Sequence, residues 1–559
     1  MKKYILFLLL FVVNWLSTIA ENIVLDYTIS KNENSFTVAL KLKGDASGIT
    51  KIKLYSDWAG ENKIKFLEVE KTLNVNKFYK DKGDSNYLIL EHTPNKDLTI
   101  TYTVKNSVLS EFPKNGESYL PLVKQQYFST IGYNFFIYPQ SDSLKKCVFN
   151  LHWKNIPTDF KLLNSYGLNE KEQKIKEVMP EDFLSSFFVG GEIRIYTFKV
   201  QNLPVHFGIY GKWKFEDEEM FSLIKKTVSY QRNFWKDRSL KYYAMMLMPA
   251  HTENSRSSSM QGTSLTNSFA TWSTNGTNVN ASSFSYLFNH ELLHYWIGVT
   301  IEPDAPEESN YWFTEGFTDY YTRKNMYASG LIDLKTFQTL TDSILAAHYG
   351  SSVKDAPNYS INKFNFWNSR LYEKLPYNRG SIFALFINEW IKKETKNKFS
   401  MDDVMFSMLE KCKNKKRLFN YLLLEETIKE VTALDANKIV EDYIIQGKEI
   451  SLNAWNNVIP TAFTERRTAV FYETIIPKHT ELRQNTVITF VGENSPEGNA
   501  GLLVGDTVKG FSLYNEPKSK NELTIIREGK KIVISYYPSK EIMVPCLNKD
   551  SGKWLIITK

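Results

Sequence analysis

Residues 290–298 read His290-Glu291-Leu292-Leu293-His294-Tyr295-Trp296-Ile297-Gly298, and residues 312–316 read Trp312-Phe313-Thr314-Glu315-Gly316. Positions i and i+4 of a helix share one face, so His290 and His294 can point at one metal ion. Glu291 leaves the same helix beside them, where it can hold a water. Accident is a poor explanation. With eight His in 559 residues and Glu at about 6% of residues, about 0.007 chance matches are expected. A surface helix with two unrelated His would also leave Glu315 unexplained.

Zinc takes four ligands and a catalytic site keeps one position for water, so two His leave one protein ligand to find. Glu315 lies 21 positions past His294, room for one loop, at the start of a new helix. Glu302, Asp304, Glu307 and Glu308 compete from a Pro-containing loop, but a ligand on a helix is better fixed. Asp319 is one turn past Glu315 on the same face. It either accepts the second N–H of a ligating His and fixes its tautomer, or is an ordinary helix-surface acid. One zinc ion is expected on His290, His294 and Glu315. It would lower the pKa of bound water toward ~7 and polarise a carbonyl, with Glu291 as general base. The oxyanion needs a donor beyond the metal, and 32 Tyr leave composition unable to pick it.

At the N-terminus, Lys2-Lys3 precede the largely apolar run Tyr4 to Trp15 and then Ser17-Thr18-Ile19-Ala20. That is the pattern of a signal peptide over residues 1–20, cleaved after Ala20. It predicts an exported protein, periplasmic or secreted. The run is short for a membrane span and no later stretch reaches 18 consecutive apolar residues, so no stable membrane insertion is expected after cleavage. Net charge is +7, from 69 basic and 62 acidic residues that are interleaved without a basic block, which argues against nucleic acid as partner. Cys147, Cys412 and Cys546 are few and far apart, and read as buried small apolar residues.

Texture divides the chain. Residues 21–201 alternate apolar and polar positions, as in Phe36-Thr-Val-Ala-Leu-Lys-Leu, Leu98-Thr-Ile-Thr-Tyr-Thr-Val and Glu192-Ile-Arg-Ile-Tyr-Thr-Phe, and predict an antiparallel, sandwich-like β domain. Residues 202–460 hold the metal motif and read as helical from about 284. Tyr242-Tyr-Ala-Met-Met-Leu-Met is a buried strand before it. Residues 254–283 are rich in Ser, Thr, Asn and Gly, and read equally as a solvated loop or as an edge strand around Gly262 to Trp272. Helices are expected over 334–348, 377–393, 401–413, 418–432 and 437–445, with a capping-box-like start at Ser400. From about 461 strands return, including Val487–Val491, and a two-residue turn at Glu528-Gly529. The fold class is multidomain α+β.

His-Glu-Leu-Leu-His-Tyr-Trp-Ile-Gly with Trp-Phe-Thr-Glu-Gly-Phe-Thr-Asp-Tyr-Tyr resembles the gluzincin zinc metallopeptidases, which include the aminopeptidase N and glycyl aminopeptidase families. The resemblance implies a thermolysin-like catalytic domain over 202–460 and peptides or proteins as substrates. Pro376-Tyr377-Asn378-Arg379-Gly380 is similar to the Tyr-x-Lys-Gly helix start of these enzymes. That implies Tyr377 as the catalytic oxyanion donor, with Tyr372 as the fallback and Arg379 where Lys is usual. Twenty residues, Tyr295 to Thr314, separate His294 from Glu315, roughly two more than in the aminopeptidase N pattern. Asn494-Ser-Pro through Ala500-Gly501-Leu502 to Gly505-Asp506 looks like a PDZ domain, which marks the glycyl aminopeptidase family. It implies a PDZ-like β domain and tail over 461–559 with a peptide ligand of its own. One departure stands out. The relatives grip a free amine with a carboxylate in the edge strand before the metal helix, and from Asn254 to Asn289 this chain has no Asp or Glu. Either another acid serves or the enzyme acts as an endopeptidase. A non-catalytic peptide-binding protein is the alternative of another class.

Overall fold

The computed structural model describes residues 23–548 apart from 55–66, 115, 141–145, 251–258, 277, 414–415, 470–481, 493–494, 515–517 and 539–540. The signal-peptide segment and Glu253 lie outside the described residues.

The N-terminal part is built from β-sheets. Strands such as Ser35–Lys43 and Tyr87–His92 alternate buried and exposed side chains, as period-2 patterning requires of a half-buried sheet. A six-stranded sheet and a four-stranded sheet close on an aromatic core that includes Phe36, Phe128, Phe135 and Trp153. Two features differ from the expected domain. The strand Ile23–Lys31 pairs in parallel with Cys147–Lys154, so the sheet is mixed rather than wholly antiparallel; alternation reports which face is buried, not which neighbour a strand takes. And Arg194–Val200, inside the range expected for this domain, pairs with Leu203–Ile209 across a two-residue turn. Gln201 and Asn202 both take positive φ there, the backbone a tight hairpin turn needs. This hairpin starts the next sheet.

That sheet has five strands, in the order Arg194–Val200, Leu203–Ile209, Tyr243–Pro249, Ser268–Ser273 and Met260–Leu265. The Tyr243–Pro249 run is buried throughout and pairs in parallel with both neighbours, which is why it is apolar without alternation. Met260–Leu265 is the edge. Of the two readings of this stretch, the edge strand is the one that forms, closed by a turn at Asn267 with φ 51°.

Helices follow. Asp217–Trp235 packs on the sheet; Ser285–Leu293 carries the His pair; Tyr311–Thr314 and Gly316–Ala328 follow the loop; Leu334–Tyr349, Arg370–Glu394, Met401–Cys412 and Tyr421–Thr432 complete the helical part. The expected capping box at Ser400 is present, with Asp403 reaching back to the Ser400 amide at 2.8 Å. The Arg370–Glu394 helix begins seven residues before Tyr377 and contains Pro376, past the first turn, where the missing N–H removes one helical hydrogen bond.

The C-terminal part has two pieces. Strands Phe463–Ala469 and Glu541–Leu547 pair with each other, and Phe463, Val544 and Leu547 join the core of the helical part. Between them sits a small module with its own core of Ile488, Leu502, Val508, Leu523, Ile525, Ile534 and Tyr536. Its sheet comprises Thr507–Ser512, Asn521–Arg527 and Lys530–Tyr536. Glu528 and Gly529 make the expected turn, both at positive φ. Val487–Val491 does not form the expected strand; only a bridge from Val487 to Thr507 is made. All three Cys are buried and outside any disulfide, and among the described residues no helix is long and apolar enough to cross a membrane.

Candidate metal and catalytic site

The His helix is held on two sides. At its start, Asn280 and Ser283 form a capping box that launches the short helix Ala281–Phe284 leading into it. Midway, buried Asn289 donates to Thr227 at 3.1 Å while Gln231 donates to the Asn289 carbonyl at 2.8 Å, tying the helix to Asp217–Trp235. Past its end, Trp296 stacks on Trp235 and donates its indole N–H to Asp237 at 3.1 Å.

His290 and His294 therefore face the same way. His290 Nε2 lies 3.1 Å from His294 Nε2 and 3.2 Å from Glu315 Oε2, and His294 Nε2 lies 3.6 Å from Glu315 Oε2. Tetrahedral zinc bonds of about 2.05 Å would set ligand atoms about 3.3 Å apart, so the three separations fit one such ion. Among the described residues these three form the only His/Cys/Asp/Glu group whose ligand atoms all lie close enough together. The opposite ring nitrogens are engaged elsewhere. His290 Nδ1 faces Asp319 Oδ1 at 2.9 Å, and His294 Nδ1 faces the Ile297 carbonyl at 3.1 Å. Both partners only accept, so each ring keeps a proton on Nδ1 and is oriented to present Nε2 to a metal ion. Of the two readings of Asp319, the tautomer-fixing one matches this contact.

Electrostatics favour a cation here. Burial opposes a charge on His290, but Asp319 and Glu315 outweigh it and raise the imidazole pKa well above its ordinary value. Burial alone would push the Glu315 carboxyl up; His294, His290 and a hydrogen bond from Tyr377 bring it down to about 2. Tyr377 thus lies against the Glu315 carboxylate. Its own hydroxyl is pushed far above the usual tyrosine range, first by burial and then by Glu315, and stays a proton donor at any working pH. Glu302, Asp304, Glu307 and Glu308 do not join the group; the Asp304 side chain is taken up by Asn310 and Asn420.

Helix contact sets the position of Tyr377. Hydrogen bonding runs unbroken through Glu315, which accepts from Asp319 and donates to Tyr311, so Tyr311, Glu315, Asp319 and Arg323 recur every four residues along one face. This helix meets Arg370–Glu394 at two glycines. A Cβ on Gly316 would sit 2.5 Å from the Gly380 Cα, and one on Gly380 would sit 1.7 Å from the Trp312 carbonyl oxygen. Only bare backbone permits the approach that brings Tyr377 to Glu315. Buried Arg379 faces the other way and donates to the Lys354 carbonyl at 2.9 Å.

Three further residues belong to the site and were not singled out from sequence. Ser264, on the edge strand, donates to the Glu291 carbonyl at 2.7 Å and lies 3.1 Å from its carboxylate Oε2. Tyr286 donates to Asp319 at 2.8 Å. Arg323 reaches Tyr286 at 3.5 Å and donates to Ser381 at 2.6 Å. Tyr286 precedes His290 by four residues and Arg323 follows Asp319 by four, so helical spacing was the available signal. The N-terminal β part closes one side of the site: Ser118 donates to Gln261 at 2.8 Å, Tyr119 packs edge-on to Trp272, and burial and then the Glu291 charge raise the Tyr119 hydroxyl. Asp319→Asn should weaken zinc binding by roughly 10- to 100-fold, read as release to a competing chelator; wild-type affinity would show that Asp319 does not set the His290 tautomer.

The class of protein is a zinc-dependent aminopeptidase-type hydrolase. Residues 283–383, from the start of the His helix to just past Gly380, match the M61 glycyl aminopeptidase family. The fold as a whole is similar to that of an aminopeptidase N family protein from Idiomarina loihiensis, with a TM-score of 0.69 at 15% identity over 94% of this chain and 98% of that one. It is also similar to an M1 zinc metallopeptidase from Deinococcus radiodurans, with a TM-score of 0.50 at 11% identity over 77% of this chain and 96% of that one. At these identities the likeness is one of fold. No curated protein matches the sequence.

Proposed function

We propose that this chain hydrolyses peptide bonds as an aminopeptidase-like metallopeptidase, with one zinc ion held by His290, His294 and Glu315. The observation that carries the reading is the convergence of two imidazole Nε2 atoms and one carboxylate oxygen at 3.1, 3.2 and 3.6 Å. Zinc, when bound, supplies a Lewis acid that acidifies water and polarises the scissile carbonyl. Glu291 accepts the water proton and returns it to the leaving amine. The Ser264 hydroxyl, within 2.7 Å of the Glu291 carbonyl and 3.1 Å of its carboxylate, shares its one proton between them and so steadies the base. The Tyr377 hydroxyl donates to the oxygen that becomes anionic in the tetrahedral state.

Purified protein should carry zinc in proportion to chain and lose hydrolysis when stripped by a chelator; a protein that cleaves peptides without metal overturns the assignment. Tyr377→Phe should lower kcat by about 10²- to 10³-fold with KM little changed. An unchanged kcat would move the donor role to Tyr372. The acid-free edge strand Met260–Leu265 supports a second reading, that a free N-terminus is not required. Comparing free and N-acetylated forms of one peptide separates the two, because only an endopeptidase cleaves both.

Two further parts of the reading lie outside the catalytic segment. The module around Thr507–Tyr536 is proposed as a PDZ-like peptide binder, supported by its three-stranded sheet and the Asn494 to Asp506 resemblance. The Lys2 to Ala20 pattern supports export, to the periplasm or beyond the cell.

A further inference from the structure

We propose that Tyr286 is a positioning residue for the metal centre: together with His290 it clamps one oxygen of Asp319, and the clamped carboxylate fixes the ring that presents Nε2 to zinc. The proposal rests on the assignment of zinc to His290, His294 and Glu315.

Helical spacing builds the clamp. Tyr286 and His290 lie four residues apart on the helix Ser285–Leu293, so both side chains leave one face. Asp319 stands opposite them, on the helix Gly316–Ala328. The Tyr286 hydroxyl donates to Asp319 Oδ1 at 2.8 Å, and His290 Nδ1 meets the same oxygen at 2.9 Å. A carboxylate held by one donor can swing about its Cβ–Cγ bond and take the imidazole with it. Two donors from adjacent turns of one helix remove that freedom. The partner of a metal-ligating imidazole sets both its tautomer and its orientation, so whatever fixes Asp319 also fixes the direction of His290 Nε2. Solvent is a poor substitute for Tyr286 here. The side chains of His290 and Asp319 are only 11% and 14% exposed, and an acceptor this dry that loses a donor is not fully repaid by water.

Arg323 sets the polarity of this chain from behind. It follows Asp319 by one turn and is 2% exposed. A guanidinium has donors only. Nη2 donates to Ser381 at 2.6 Å, and Nη1 stands 3.5 Å from the Tyr286 oxygen, at the outer edge of hydrogen-bonding range. Arg323 therefore offers Tyr286 no acceptor, and the single Tyr286 proton goes forward to Asp319. Ser381 adjoins Gly380, so the row that begins at His290 ends at the helix contact that places Tyr377.

A simple tie between two helices is the competing role for Tyr286, and a double-mutant cycle separates the two. Zinc dissociation constants are measured by chelator competition for the parent, Tyr286→Phe, Asp319→Ala and the double variant. Tyr286→Phe should weaken zinc about 3- to 10-fold, as expected of one lost hydrogen bond to a charged group. On the Asp319→Ala background the same change should stay within about twofold, because no carboxylate is left to position. An equal loss on both backgrounds overturns the proposal and leaves Tyr286 as a packing residue. A second readout needs only the single variant, so it survives if Asp319→Ala does not fold: the visible bands of the cobalt-loaded protein should shift in Tyr286→Phe, because one ligand ring has turned. Unchanged bands with unchanged zinc affinity also overturn the proposal. A parent protein that takes up no zinc overturns the zinc assignment itself, and with it the clamp; a parent that binds zinc no more tightly than Tyr286→Phe overturns the clamp alone.

Discussion

Glu291→Gln should cost peptide hydrolysis about 10³-fold in kcat while zinc content stays at the wild-type level. Gln keeps the length and shape of Glu and leaves an oxygen for Ser264 to bond, but it cannot accept a proton from water. Nothing in the substitution touches the ligand set: the Asp319 contact on His290 Nδ1 and the Ile297 carbonyl on His294 Nδ1 stay in place. A fall in both zinc and activity would be ambiguous, so metal content is measured on the same preparation. Activity above about a tenth of wild type with zinc in place would mean that another group takes the proton. Ser264→Ala is the companion variant. It keeps the base but frees it to turn, and should cost only about 3- to 10-fold, in kcat rather than KM, in line with one lost hydrogen bond of about 1 kcal/mol. If Ser264→Ala instead matched Glu291→Gln, the hydroxyl would be acting on the substrate itself.

How much of this site could be read from the sequence depends on how local each relation is. His290, Glu291 and His294 lie within one helical turn, where spacing alone dictates the shared face. Glu315 was reachable because it opens a helix and its rivals lie in a loop; in the structure Asp304 is spent on Asn310 and Asn420 instead. Tyr377 is remote, and only the resemblance of Tyr377-Asn378-Arg379-Gly380 pointed to it. Ser264 was out of reach. Its contact with Glu291 exists only once the 259–276 stretch becomes a hairpin at the sheet edge, and composition left strand and loop equal there. The same distinction governs the fold. The alternation of Arg194–Val200 showed a strand, but its partner depended on positive φ at Gln201 and Asn202, two residues outside the alternating run. Val487–Val491 has the composition of a strand, yet makes only a bridge, because β propensity needs a partner to be realised. The parallel pairing of Ile23–Lys31 with Cys147–Lys154, over a hundred residues apart, left no local trace at all.

Gly380→Ala should be the most damaging single methyl group in the protein. The added Cβ would stand 1.7 Å from the Trp312 carbonyl oxygen, well inside any tolerable contact, and that oxygen is backbone in a helix whose neighbours are fully packed. Trp312 is 1% exposed and rings of Phe313, Phe317, Phe383 and Phe419 surround it. The strand of contacts cannot yield at one point; the two helices must part. Overpacking of this kind costs about 3 kcal/mol or more, which for a domain of this size lowers Tm by roughly 6–12 °C. The functional loss should exceed the stability loss. Parting the helices moves Tyr377 away from Glu315, and displacements near 1 Å at a catalytic group can cost about 10²-fold in rate. The measurement is therefore paired: a thermal melt, and kcat with zinc content at a temperature well below the variant's Tm. The expected result is a folded, zinc-loaded protein whose kcat has dropped towards that of Tyr377→Phe. A Gly380→Ala protein with wild-type Tm and kcat would show that the helices do not approach as closely as described. Gly316→Ala makes the reciprocal check, since its Cβ meets the Gly380 Cα at 2.5 Å across the same contact. It should be damaging in the same two readouts, and combining it with Gly380→Ala should cost less than the two separate losses added together, because the first methyl has already opened the contact.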